Sequence, residues 1–85
     1  MEKGKSFYTV VVIDYEVEIK KMKVTEKNNG FIITEDNNSP PLIKIYDIDS
    51  MDSSPFNIVS DTKEEALAKF ITRMQLSTDR LRKSL

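Results

Sequence analysis

The spacing of apolar positions changes period once along the chain. Up to about residue 48 apolar and polar residues alternate in pairs or run together in short β-branched stretches. From residue 62 they recur at three- and four-residue spacing. Period two belongs to strands and the longer period to a helix, so the pattern predicts a sheet built first and a helix last.

The strongest strand signal is Phe7 to Ile13, which is almost wholly β-branched or aromatic. Both of its faces are apolar, with Phe7, Val11 and Ile13 on one side and Tyr8, Val10 and Val12 on the other. Such a strand belongs inside a sheet covered on both sides. Tyr15, Val17 and Ile19 then alternate with charges, and no Gly or Pro separates them from Ile13. Residues 7–20 therefore read equally as one long strand or as two. At Lys20-Lys21 the apolar positions move from odd to even, at Met22 and Val24, which predicts a bulge or bend there.

Asn29-Gly30 is the sequence signature of a two-residue type I′ hairpin. That register would pair Lys23 with Asp36, Thr25 with Thr34 and Lys27 with Ile32. Asp36 to Pro41 reads as a loop, Leu42 to Ile48 as the next strand, and Asp49 to Pro55 as a second loop. Phe56 to Val59 is either a short strand or a packed lead-in to the helix. Thr62 and Glu65 have capping-box spacing, and Leu67, Phe70, Ile71 and Met74 form one apolar stripe that Leu81 and Leu85 continue. The weak point of that helix is Ser77-Thr78.

The prediction is a single α+β domain over 1–85. It has one antiparallel sheet, a meander with an Asn-Gly hairpin and strands at about 6–14, 16–28, 31–36 and 42–48. One helix, about 62–83, packs on one sheet face. With 85 residues and no Cys, the domain must be held by its own core rather than by disulfides.

Composition mainly excludes chemistry. With no His and no Cys there is no imidazole base, no thiolate nucleophile and no ordinary zinc site. The only glycines are Gly4 and Gly30, too few for a phosphate-cradling loop. Asp47, Asp49 and Asp52 suggest a calcium loop, but Met51 stands at a ligand position and no Glu closes the site. We expect no enzyme activity, no cofactor and no metal. No run is long and apolar enough for a membrane span or a signal peptide, so a cytoplasmic protein is expected.

The formal net charge is −1, but it is uneven: +1 over residues 1–34, −5 over 35–61 and +3 over 62–85. Arg73, Arg80, Arg82 and Lys83 make the helix basic. This supports the alternative of a nucleic-acid-associated protein, which the overall neutrality disfavours.

One helix covers one sheet face, yet the first strand is apolar on two. If Val11, Ile13, Phe31, Ile33, Ile43 and Ile45 meet the helix, then Tyr8, Val10, Val12, Ile32, Leu42 and Tyr46 lie opposite as candidates for contact with a protein partner or a second copy. Otherwise the 36–41 or 49–57 loop folds over that face, or the sheet coils enough to bury both sides. The leading expectation is a small binding or regulatory protein, inhibitor- or antitoxin-like, acting through a sheet face or edge.

Asp61-Thr62-Lys63-Glu64-Glu65-Ala66-Leu67, coming after strands, resembles the strand-to-helix junction of HicB-type antitoxins. The resemblance covers seven of the 85 residues and implies a partial RNase H-like fold that binds a toxin partner. The segment between the strands is longer here, and the family's Pro-Asp loop does not precede the helix. In composition the chain is similar to small inhibitors and regulators carried by phages of low-GC bacteria.

Overall fold

Four strands form in chain order: β1 (Ser6–Ile13), β2 (Glu16–Lys27), β3 (Phe31–Glu35) and β4 (Ile43–Asp47). A helix, α1 (Lys63–Lys83), follows them in a computed structural model that describes residues 1–85. Each strand pairs antiparallel with the next, giving the sheet order β1-β2-β3-β4. This is the antiparallel meander and C-terminal helix that the change of period predicts.

The type I′ geometry expected at Asn29-Gly30 is found instead between β1 and β2. Ile13 pairs with Glu16, and Asp14 and Tyr15 between them have φ of 50° and 69°. Two consecutive positive φ angles are the mark of a type I′ hairpin, so β1 and β2 are separate strands. At Asn29-Gly30 neither residue lies in the left-handed region. There the Asn28 side-chain oxygen accepts from the N–H groups of Gly30 (2.8 Å) and Phe31 (2.9 Å), and this local bond holds the turn instead.

The register starts as the Asn-Gly loop requires, with Lys27 opposite Ile32. A bulge between Val24 and Glu26 then shifts it, so Lys23 meets Glu35 rather than Asp36, and Thr34 meets Val24 rather than Thr25. No bulge occurs at Lys20-Lys21. The apolar phase changes there because β2 serves two layers: Ile19 packs under the helix, while Met22 and Val24 point into the opposite face.

That opposite face is buried because the sheet curls into a half-barrel. Phe7, Met22, Val24, Ile32 and Tyr46 fill its concave side. The Phe7 and Tyr46 rings meet edge to face at 5.7 Å between centroids. Met1, Ile48, Met51 and Val59 pack over this cluster, so the segment after β4 acts as its lid. Full burial of side chains such as Phe7, Met22 and Ile32 contributes roughly 1.5–3 kcal/mol each.

The helix lies on the convex side, chiefly against β1 and β2. Val10, Ile58 and Ala66 form the buried centre of this second layer, flanked by Tyr8, Ile19 and Phe70. The faces are therefore assigned differently from the expectation. Val10 and Tyr8 are under the helix, Ile32 and Tyr46 are inside the half-barrel, and Phe31, Ile33, Ile43 and Ile45 lie on the convex face beyond the helix's reach. Curvature is the physical reason: one helix can touch only part of a strongly curled convex surface.

The helix begins at the expected cap, where Thr62 Oγ1 accepts from the Glu65 N–H at 3.1 Å. The Glu65 carboxylate turns to Lys69 (3.3 Å) rather than back to the cap. The chain runs helical through Ser77-Thr78 without a break. Its buried residue is Ala66, with Lys69, Phe70, Arg73 and Met74 half-buried, so the packed face is rotated away from Leu67 and Ile71. Phe56 to Val59 forms no strand; only Ser60 bridges to β1, through two backbone bonds with Tyr8 of 2.8 and 3.0 Å.

Candidate protein-contact site

A half-barrel leaves two strand edges, on β1 and β4, and the structure treats them differently. On β1 the groups pointing outward belong to Tyr8, Val10 and Val12, because Tyr8 bonds outward to Ser60. Ser60 and the Lys44 ammonium close part of this edge. Lys44 Nζ donates to the carbonyls of Val10 and Phe56, both at 2.6 Å. A β4 side chain thus reaches across the open side of the barrel and stitches it to β1 and to the lead-in segment. Tyr46 makes the same crossing more deeply, sharing a buried hydrogen bond with Thr9 Oγ1.

The edge of β4 has no such cover. Leu42 O accepts from Asp36 N, and Ile48 N donates to Gly30 O, so the even-numbered residues of this stretch face β3. By strand alternation the N–H and C=O groups of Ile43, Ile45 and Asp47 point away from the sheet. The Ile43 and Ile45 side chains are 57% and 62% exposed, beside a partly exposed Phe31. An edge strand with unpaired backbone and flanking isoleucines is a template for another strand.

Between the two edges lies an open cleft of about 340 Å³. Val10, Val11 and Val12 line one wall and Leu42 and Ile43 the other, with Phe56 at the rim. Lys44 is the one polar residue in its lining. Burial depresses the Lys44 ammonium to about 8 from an ordinary value of 10.5. It stands 4.9 Å from the centre of the Tyr46 ring, and no carboxylate lies within 4.0 Å of it.

Of the six sheet-face candidates, the fold brings Val10, Val12 and Leu42 together around this cleft. Tyr8 is half-buried beneath the helix, and Ile32 and Tyr46 belong to the interior. Burial pushes the Tyr46 phenol up to about 12, with the Thr9 hydrogen bond opposing. The residues that sequence reasoning missed are Ile43, Ile45, Lys44 and Phe56. The alternation of β4 shows Ile43 and Ile45 sharing a face, but only the sheet order makes that strand an edge.

The basic helix residues are not equivalent. Arg73 Nη1 is held by Asp52 (2.9 Å) and by the Ser54 carbonyl (3.2 Å), while Arg80, Arg82 and Lys83 are exposed on the final turns. The acidic loop is likewise occupied with structure. Asp47 caps the 3-10 turn Ile48–Ser50 by accepting from the Asp49 N–H. Asp52 accepts from Lys69 Nζ (3.0 Å) and the Val59 N–H (3.2 Å), besides pairing with Arg73. Burial alone would raise the Asp52 carboxyl, but these donors hold it below its ordinary value.

No family model, curated protein or solved structure matches the chain. The likeness to the HicB junction thus stands on its seven residues alone. No helix is long and apolar enough to cross a membrane.

Proposed function

We propose that this chain is a small non-enzymatic binding protein that regulates or inhibits a partner through protein contact. It takes up an extended segment of that partner along the β4 edge. The observation that carries this reading is the unpaired backbone of Ile43 and Ile45, with the outward N–H of Asp47, beside the exposed Ile43 and Ile45 side chains. An added strand would gain main-chain hydrogen bonds along β4. Its inward-pointing side chains would enter the apolar cleft beside Lys44 and give specificity.

The test compares the wild-type chain with the double variant Ile43→Lys and Ile45→Lys, both substitutions being at exposed positions. A partner retained by the wild type from the native host should be lost by the variant, whose circular dichroism should be unchanged. In hydrogen exchange the purified partner should protect the amides of Ile43, Ile45 and Asp47. Equal capture by both chains, or a bound partner that leaves those three amides unprotected, would overturn the reading.

A further inference from the structure

The cleft beside β4 holds one charge, and that charge has no counter-ion. Lys44 stands among Val10, Val11, Leu42 and Phe56 as the one polar side chain of the lining. A lysine ammonium has three N–H donors. Two of them go to the carbonyls of Val10 and Phe56, each at 2.6 Å. Carbonyl dipoles solvate a positive charge but do not neutralise it, and none of the ion pairs in the structure includes Lys44. One donor and the whole charge therefore remain unpaired in a cleft that is open to water.

An added strand changes what that charge meets. The backbone groups of Ile43 and Ile45 point outward, so each would form a hydrogen-bonded pair with the residue opposite it in an antiparallel strand. Lys44 between them would lie in the closer, non-hydrogen-bonded pair, at about 4.5 Å between Cα atoms, with the facing side chain on its own side of the sheet. The residue opposite Lys44 thus enters the cleft, while those opposite Ile43 and Ile45 lie along the exposed convex isoleucines. The strand also shuts water out of the cleft. A charge closed into an apolar site is costly unless it is paired. A neutral residue there leaves the ammonium without a counter-charge, and Lys or Arg adds repulsion. Asp or Glu supplies an acceptor for the spare donor and the opposite charge together. This is no general attraction for acids, because residues 35–61 carry −5 and the region around β4 is otherwise acidic.

We propose, building on strand addition at β4, that the segment taken up reads apolar-acidic-apolar, with Asp or Glu opposite Lys44 and aliphatic residues opposite Ile43 and Ile45. The two isoleucines set the affinity for any strand of apolar outer face. Lys44 sets the specificity, by admitting a carboxylate at the one position that faces the cleft.

Magnetic resonance of the isotope-labelled full chain tests it, with short synthetic peptides of palindromic sequence Thr-Val-X-Val-Thr in which X is Glu, Gln or Lys. The Glu peptide should shift the amides of Ile43 and Ile45 and bind about fivefold or more tighter than the Gln peptide, with the Lys peptide weakest. On Lys44→Met the Glu peptide should lose that advantage and the Lys peptide its handicap. If Lys44→Met does not fold, the order of the three peptides on the wild type decides. Glu and Gln peptides that bind the wild type equally, through the same amides, would overturn the acidic requirement and leave strand addition standing. A preference for Glu that persists in Lys44→Met would do the same. If no peptide moves those amides at millimolar concentration, the acidic requirement falls, while strand addition is judged separately by capture and hydrogen exchange with the purified partner.

Discussion

Lys44 Nζ lies 2.6 Å from the carbonyl oxygen of Val10, so the last strand of the sheet is joined to the first by a side chain rather than by a backbone ladder. The half-barrel is held closed by this bond, its companion to Phe56 and the deeper Thr9–Tyr46 pair. Each arises where a polar tip on the concave face finds a partner across the interior.

Lys44 should therefore make stability depend on alkaline pH. Burial lowers its folded-state value to about 8, below the 10.5 of the unfolded chain. Between those values the unfolded state binds more protons, so the Lys44 contribution to stability rises with pH and levels off above the unfolded value. Urea unfolding of the wild type and Lys44→Met at a series of pH values across that window should show the wild type gaining on the variant. Parallel curves would contradict the assignment.

Tyr46 should behave oppositely and later. Its folded value of about 12 stands above the ordinary 10, so the stability it contributes is full below pH 10 and is lost as pH rises through 12. In an ultraviolet titration, one of the three tyrosines should ionise about two pH units late. Tyr46→Phe should abolish that step.

The β1–β2 turn carries removable strain. Tyr15 sits at φ 69° with its side chain fully exposed, so it contributes no burial to offset the left-handed backbone. Tyr15→Gly should raise stability by about 1 kcal/mol, since the left-handed conformation costs a non-glycine residue roughly 1–2 kcal/mol and glycine's greater unfolded-state freedom returns part of the gain. Thermal or urea unfolding reads this directly. A lowered midpoint would show that the side chain contributes something beyond the turn.

Asp52 should tie the lid over the core to the helix. Asp52→Asn keeps the size of the side chain and suits its φ of 57°, while removing the charge that Lys69 and Arg73 share. Partly exposed pairs of this kind are worth up to about 1 kcal/mol each, so a loss of about 1–2 kcal/mol is expected near neutral pH. Because the carboxyl is held below 3.8, the difference between the wild type and the variant should persist above that value and vanish as pH falls through the lowered one. Denaturant titrations at neutral and acid pH measure both.

The elements were legible because their causes are local. The β-branched run at Phe7–Ile13, the cap at Thr62 and the change of period each act within a few residues, and strands and helix follow from them. Turn chemistry was only half legible. Asn29-Gly30 marks the loop, but the Asn28 side chain takes the two N–H groups there, and the type I′ geometry appears at Asp14-Tyr15, where no glycine advertises it. The cleft was half legible too. Val10, Val12 and Leu42 read as apolar strand residues, whereas nothing local to Lys44 marks it as the residue that crosses the barrel.

The amino-acid sequence by itself determined that both faces of the sheet would need cover. Val10 and Val11 are neighbours in one strand, and alternation sends them to opposite sides whatever the fold. Only the tertiary structure decided what the cover is. Curling brings β4 over β1, so the concave face closes on Phe7, Ile32 and Tyr46, and the 48–59 segment seals it. The same curvature keeps the helix on β1 and β2 and leaves Ile43 and Ile45 at an open edge. Curvature sums small twists over four strands and a bulge, so no single residue carries the signal that sets it.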